Sequence, residues 1–477
     1  MPDGNTAIFF SFGCFVLLFL GIGAFAAKLS KGTEQDYLTG DRNFGPWFVG
    51  LSAGATGNSG FIMLGAVGMG YTMGLSGLLL GLSWFLGDLT FWSIFPGQIN
   101  DLARQRKSST IPQLIASVLP VKEAASLRRL AGLLTIILVG AYLAAQYTAA
   151  AKTLNVFFGV ELRSGILISA LAILAYCTTG GLRASVWTDF VQALVMIGIT
   201  AGMLLHIYAV AGGYTEIAAK LIAIDPKLCE VGAGFTAWTL AAYVVGYAGA
   251  GFGFDISQPQ ILVRLLAGRS PEDVRKAKWI YLLFIQSTWI CMVLFGVIAR
   301  ILVPDIADPE QALPIYAMVA LNPWVVGVVF AGMFSAIAST ADSQLLVCSS
   351  SLAIDVLPEF HKHMQLRLGI YYHYGATLIV GTLGAVAAIL CSSSVFTVII
   401  FATSALACSL GPAMFISLAA RRTSLAALSV SMLSGLAFAV VWRLLEFHDT
   451  MNESLPGFLF ALAVHEALCR CMDRSDK

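Results

Sequence analysis

The residues best able to do chemistry in this sequence lie inside apolar stretches. In Ala336-Ile-Ala-Ser-Thr-Ala-Asp-Ser-Gln344, the residues Ala336, Ser339, Thr340 and Ser343 recur at i, i+3, i+4 and i+7, one stripe of a helix. Two hydroxyls joined by freed backbone carbonyls suit a hard monovalent cation, which takes oxygen ligands rather than nitrogen or sulfur. Isolated serines and threonines usually bond back to their own helix. Here Asp342 stands beside the stripe, about 60° from Ser339 around the helix. Asp88, Asp189 and Asp255 also fall within apolar stretches. An ionised, unpartnered carboxylate at a bilayer centre costs roughly 2.5–3.5 kcal/mol on insertion scales. Lys152 is the one counter-charge expected inside a span, so bound cations, protonation or water must serve the other acids. Asp88 is read as bonding a neighbouring helix, and His206, His373 and His465 as packing or interface residues.

Two further segments carry backbone rather than side-chain chemistry. Leu51-Ser-Ala-Gly-Ala-Thr-Gly-Asn-Ser-Gly60 is small and polar where a membrane helix should be most apolar. Gly246-Tyr-Ala-Gly-Ala-Gly-Phe-Gly-Phe-Asp-Ile-Ser-Gln-Pro259 holds four glycines, then an acid and a proline. Each glycine-rich run taken singly reads equally well as close helix packing. As a pair in matching positions they point to broken helices that free backbone groups at a binding site.

The elements that must position these groups are membrane helices. The 477 residues are 58% hydrophobic and 12% charged, with a mean hydropathy of +0.82. About a quarter of a soluble chain is charged. Lys and Arg number 28 against 27 Asp and Glu, so no basic face is expected for nucleic acid. The nine cysteines form no C-x-x-C pair and read as buried thiols. At about 20 apolar residues per crossing, thirteen spans are expected, from 7–26 to 455–471. The first lacks a basic leader and is read as a retained span. With the N-terminus outside, twenty-two of the 28 basic residues fall on the inner side, Arg264, Arg421, Arg422, Arg474 and Lys477 among them. That sets the N-terminus out and the C-terminus cytoplasmic in a plasma membrane. Starting a repeat at each broken segment gives five spans in 44–212 and five of opposite topology in 236–419. Residues 1–43 add an extra N-terminal helix and loop, and 420–477 two C-terminal helices. The whole is one membrane transport domain.

Enzyme chemistry finds no foothold: the sequence has no H-E-x-x-H, no Walker-type glycine loop and no G-x-S-x-G. No soluble domain is present to drive an ATP-dependent pump, and no repeated pore segment suggests a channel.

Four stretches resemble the sodium/solute symporters, all-α membrane proteins with the five-plus-five inverted repeat of the leucine-transporter type. They are Leu51-Ser-Ala-Gly-Ala, Gly180-Gly-Leu-Arg-Ala-Ser-Val-Trp-Thr-Asp-Phe-Val-Gln192, Gln258-Pro-Gln-Ile-Leu-Val-Arg264 and Ser339-Thr-Ala-Asp-Ser-Gln-Leu-Leu-Val-Cys-Ser-Ser-Ser351. The resemblance runs from about 44 to 420 and is strongest toward the sodium/proline branch. It implies a principal sodium site of backbone oxygens from Ala55, Asn58 and Ala336 with the hydroxyls of Ser339 and Thr340. It implies a second cation site of Asp189, Ser339 and Ser343, with Asp342 standing where other members have a hydroxyl. It also implies a solute pocket at Ser59, Phe61, Tyr142, Gly251, Asp255 and Pro259. Gly251 and Asp255 replace aromatics of the proline carriers, and Gly57 replaces an aspartate. Asp255 is expected to face the pocket and meet an amine or hydroxyl of the solute.

The expected function is secondary active symport, with inward sodium flux driving uptake of a small polar, amino-acid-like solute by alternating access. Proton coupling through Asp189 and Asp342 competes with it. So does a transporter-like solute sensor, against which the few residues after about 471 count. The partners implied are a small-molecule solute and the lipid bilayer; oligomeric state leaves no signal in the sequence.

Overall fold

A computed structural model describes residues 4–177, 180–390, 394–419 and 423–475. Within the first expected repeat and its lead-in the helices are α1 (Gly4–Lys28), α2 (Glu34–Thr39), α3 (Pro46–Gly60), α4 (Val67–Met73), α5 (Leu78–Ile94), α6 (Pro96–Gln105), α7 (Ile111–Ala116), α8 (Val121–Phe158), α9 (Leu162–Cys177) and α10 (Gly181–Val210). After α11 (Tyr214–Ile224) come α12 (Ala237–Ser257), α13 (Pro259–Ala267), α14 (Pro271–Leu302), α15 (Ala312–Ala320), α16 (Pro323–Ser350), α17 (Pro358–Leu368), α18 (Tyr371–Leu390) and α19 (Val395–Leu418). Two last helices, α20 (Leu425–Leu444) and α21 (Ser454–Ser475), complete the chain. Of the basic residues assigned to the inner side, Arg421, Arg422, Lys477 and the side chain of Arg474 lie outside the described residues.

Ten helices among the described residues are long and apolar enough to cross a membrane. One is the 49-residue stretch Pro46–Ile94, which holds the second and third of the thirteen expected spans and turns between them at Gly74, φ +60°. The expected spans at α9 and α12 are not among the ten; in α9 the apolar stretch Leu162–Ala175 is short. Burial sorts the ten. Of the most apolar window of each, 89% is buried in α19 and 78% in α16, but only 11% in α1. The first two form the centre, and α1 lies at the periphery, packed on the bundle through Ile8, Phe12 and Phe19 with most of its other side chains exposed.

The two expected helix breaks behave differently. α3 is regular through Asn58 and breaks at Ser59, whose φ of 53° is a conformation L-residues rarely adopt. A π turn over Phe61–Ala66 then re-aims the chain into α4. In the other segment the glycines stay helical, and the interruption is confined to Gln258, with Pro259 opening α13. Those glycines serve close packing: a Cβ on Gly251 would come within 2.3 Å of the Trp84 carbonyl of α5.

One end of the bundle is closed. Phe44, leading into α3, pairs with Gly268 after α13 in a short backbone bridge, Arg269 N–H donating to the Phe44 carbonyl at 2.8 Å. Arg104 donates to the carbonyls of Gly268 and Arg269, and Asn100 to that of Leu265. Buried Asp355 accepts from Arg128 at 2.8 Å and from Thr110 at 3.0 Å. Nearby Asp36, fully buried on α2, accepts from Ser30, the Lys31 backbone and Arg183.

Burial raises the Asp36 carboxyl, but the Arg183 guanidinium, Ser30 and the Lys31 amide outweigh it and hold the group below its usual range. A carboxyl depressed by folding stabilises the native state above its unfolded pKa of about 3.9 and loses that contribution as pH falls through the folded value. Thermal unfolding of purified Asp36→Asn should therefore begin lower than wild type at neutral pH. The difference should shrink below about pH 4.

Candidate cation and solute site

The break at Ser59 leaves the last carbonyls of α3 to be satisfied by another element. The polar stripe of α16 supplies the donors. Ser339 Oγ donates to the Ala55 carbonyl at 3.0 Å and to the Ala336 carbonyl at 3.1 Å. Thr340 Oγ1 donates to the Thr56 carbonyl at 2.9 Å and to that of Ala336 at 3.2 Å. Ala55, Ala336, Ser339 and Thr340 are thus brought together with no solvent exposure. The Asn58 carbonyl accepts the Phe61 N–H within the break, and the Asn58 amide bonds Thr288 at 3.0 Å. Each hydroxyl carries two lone pairs as well as its hydrogen. If both hydroxyls turned their hydrogens away, Ala55 O, Thr56 O, Ala336 O, Ser339 Oγ and Thr340 Oγ1 would offer one cation an all-oxygen shell.

One turn further along α16 the charge pattern differs from the sequence expectation. Arg264, counted among the inner-side basic residues, is fully buried, and its Nη2 pairs with Asp189 Oδ2 at 3.1 Å. The same guanidinium donates to Ser185 Oγ at 2.7 Å, to Ser343 Oγ, and through Nη1 to the Gln260 carbonyl at 2.8 Å. Ser52 Oγ donates to Asp189 at 2.6 Å, and Thr56 bonds Ser343 at 3.0 Å. The oxygens expected of a second cation site, Asp189 Oδ2 and Ser343 Oγ, therefore already surround a fixed positive charge. Asp342 stands beside them, with Asp189, Arg264, Ser185 and Cys177 as its electrostatic neighbours. Lys152, the expected counter-charge, pairs instead with Asp308 at 2.9 Å and Glu310 at 2.5 Å, away from the four aspartates.

A central cavity of about 30 Å³ lies beside the break and is walled by Gly57, Phe61, Trp84, Tyr142, Phe254 and Trp289, with Tyr281 and Thr403. It has the scale of one or two waters. Phe61 stacks on Phe396 at 5.5 Å between centroids, and Phe396 lines a vestibule of about 870 Å³. That vestibule also holds Lys152, Asp308 and Glu310 and lies away from the Phe44–Gly268 bridge. Of the expected pocket residues, Phe61 and Tyr142 line the cavity, and Ser59 bonds toward Tyr142. Gly251 packs on Trp84. Asp255 stands behind Tyr281, whose hydroxyl it accepts at 3.0 Å, and Pro259 borders a separate small cavity beside Thr110 and Val263.

Sequence reasoning missed Arg264, Trp84, Tyr281 and Trp289. Arg264 had a signal in the apolar run Ile261-Leu-Val-Arg-Leu-Leu266 around it. The aromatics had none beyond their place in a span.

Breaking a buried ion pair from one side leaves an uncompensated charge and costs about 3–5 kcal/mol. Asp189→Asn should lower the unfolding temperature of the purified protein sharply, and Arg264→Met added to it should recover part of the loss. Simple additivity of the two single losses would show the charges to be uncoupled.

Against known proteins, the model of the sodium:solute symporter family matches residues 37–435. The high-affinity proline transporter PutP of Bacillus subtilis is 26% identical over 450 residues, covering 92% of this chain and 93% of its own. The sodium/proline symporter of Escherichia coli is 25% identical over 476 residues, covering 96% and 91%. Among solved structures, a Na+-coupled sialic acid symporter in a substrate-bound outward-open state superposes with a TM-score of 0.78 at 16% identity, covering 97% of both chains. Mhp1, a nucleobase-cation-symport-1 family transporter, superposes with a TM-score of 0.61 at 16% identity, covering 92% of this chain and 94% of its own. The fold is that of the leucine-transporter type. With a family match over most of its length, this chain belongs to the sodium:solute symporter family.

Proposed function

We propose that the protein couples inward sodium movement to uptake of a small, polar, amino-acid-like solute by alternating access. The observation that carries the reading is the junction of α3 and α16, where carbonyls freed by the Ser59 break meet two hydroxyls of one helical stripe. A sodium ion there replaces the hydroxyl–carbonyl bonds by ion–oxygen contacts and ties α3 to α16. That tie holds the two five-span repeats, 44–212 and 236–419, in the arrangement with an open vestibule and a closed opposite end. Release of the ion frees α3 from α16 and lets the Phe44–Gly268 side open in turn.

The closed end carries Arg104, Arg128, Arg183 and Arg269, which supports a plasma-membrane protein with its N-terminus outside and its C-terminus cytoplasmic. Arg264 supplies at Asp189 the charge that a second cation would bring, which favours one sodium per cycle. The relatives named for proline make proline the first solute to test. The cavity departs from the expected pattern through Gly57, which leaves that wall without a side chain.

In proteoliposomes an inward sodium gradient should drive accumulation of proline or of another small zwitterion. Ser339→Ala and Thr340→Ala should each raise the half-saturating sodium concentration by about tenfold, equivalent to about 1.4 kcal/mol of lost ion binding. Uptake that proceeds equally on a proton gradient without sodium would overturn the reading.

A further inference from the structure

α5 and α12 lie backbone against backbone. A Cβ on Gly87 would stand 2.1 Å from the Ala248 carbonyl, as one on Gly251 would stand 2.3 Å from that of Trp84. This contact presses Asp88, next in sequence to Gly87, against Asp255, one turn beyond Gly251. The two side chains lie within hydrogen-bonding reach of each other. Both residues have no solvent exposure. Among the described residues no lysine, arginine or histidine forms an ion pair with either: Arg264 is engaged with Asp189, and Lys152 with Asp308 and Glu310.

The polar inventory around the pair is short. Asp255 Oδ1 accepts from the Tyr281 hydroxyl at 3.0 Å; the Trp84 indole faces Asp88, yet neither oxygen of Asp88 nor Oδ2 of Asp255 meets a donor at good hydrogen-bond geometry. Trp92 Nε1, buried and without a partner of its own, faces Asp255, and its ring stacks on Tyr281 at 4.2 Å. Two carboxylates in contact and out of water cannot both stay ionised, because each raises the cost of charging the other. A proton between them removes one charge and supplies the missing donor.

We propose that Asp88 and Asp255 form a proton-binding site, one proton shared by two carboxyl groups, with Tyr281 linking it to the central cavity. Tyr281 belongs to the cavity wall, its hydroxyl 3.6 Å from where a Cβ on Gly57 would stand. On release, the Tyr281 hydroxyl first turns its hydrogen from Asp255 toward a cavity water; the O–H bond of the acid then breaks as its proton passes to Tyr281 Oη, and the phenolic proton passes to that water. The pair is left with two negative charges and the water with one positive. On uptake the steps reverse. Loss of the proton sets two like charges at the tightest contact of α5 with α12, directly behind the cavity wall, so protonation biases how α12 rests on α5. Tyr281 is the titratable group that faces the pair from α14. Among the described side chains, the charged or titratable groups on the other packed elements are Asp101 and Arg104 on α6, Arg264 on α13, Cys408 on α19 and His465, Glu466, Cys469, Arg470 and Cys471 on α21, with Glu453 just before it; α12 itself adds Tyr243 and Tyr247. Glu453 is held by Arg443, and none of these groups is an electrostatic neighbour of the pair. The site is separate from the α3–α16 oxygens, and it binds and releases its proton whichever ion drives transport.

Infrared difference spectroscopy on the purified full-length protein in lipid tests this. Near neutral pH the wild type should show the carbonyl stretch of a protonated carboxylic acid, shifting when H2O is replaced by D2O. The band should move in frequency in Asp88→Asn and in Asp255→Asn, vanish when both are replaced, persist unmoved in Asp342→Asn, and move in Tyr281→Phe, which keeps both carboxyls and guards against a misfolded variant. A band that is unmoved in both single asparagine variants, or survives in the double variant, overturns the site. One that is absent from the wild type until sodium is removed assigns the pair to a metal cation instead. A band unmoved by Tyr281→Phe and unaffected by D2O overturns the link to the cavity.

Discussion

In hydrocarbon every backbone polar group must find its partner within the protein. A helix that breaks inside the membrane therefore creates a debt that another element has to meet. Here the break falls at Ser59, and the debt is met by two hydroxyls, Ser339 and Thr340, reaching from α16 to the carbonyls of Ala55 and Thr56. Much else follows from this arrangement. α16 must be buried almost throughout, because its polar stripe would otherwise face lipid. α3 must lie against it closely enough for hydrogen bonds shorter than about 3.2 Å. Hydroxyl–carbonyl bonds are also what a monovalent cation can exchange for at modest cost, since the same oxygens serve as its ligands once the hydroxyl hydrogens turn away.

Charge is segregated around that junction in a way that gives each group one task. Arg264 and Asp189 neutralise each other in the interior and tie α13 to α10, with Ser343 bringing in α16. Such a pair adds little net stability over an apolar substitute, but it is costly to break from one side, so it fixes the relative placement of three helices. Lys152 does its pairing in the vestibule with Asp308 and Glu310, and Glu310 also orders the start of α19 by accepting from the Ser394 hydroxyl and the Phe396 N–H. Asp88 and Asp255 stand apart from both systems, on the far side of Tyr281 from the cavity. The stacked pair Phe61 and Phe396 joins the wall of the cavity to that of the vestibule, and Ile400 lines both.

What was legible in the sequence was whatever a single helix carries. The i, i+3, i+4, i+7 stripe of α16 is visible because helical periodicity places those residues on one face before any neighbour is known. The interruption near Ser59 was legible because small and polar residues are poor membrane-helix material. The glycines from 246 to 253 were ambiguous for the same reason: a small residue looks alike whether it breaks a helix or lets another backbone approach, and here it does the second. Pairing was not legible. Lys152 was the expected counter-charge because it lies in a span, yet it reaches the vestibule acids. Arg264 sat at a span end and was counted with the loops, yet the kink at Gln258 turns α13 inward and buries it. Asp255 was expected at the solute, and the fold sets Tyr281 between them. Those outcomes depend on how helices distant in sequence come together, which the spacing of residues along one helix does not encode.

The central claim is that sodium binds where α3 breaks against α16 and locks the two together. Amide hydrogen exchange of the purified protein, compared in sodium and in potassium at equal ionic strength, tests it most directly, because freed backbone at a break exchanges unless something holds it. The account predicts that sodium slows exchange in peptides covering residues 52–62 and 333–345 and leaves α20 and α21 unchanged. Equal exchange in both ions across those two segments, or protection confined to other helices, would contradict it.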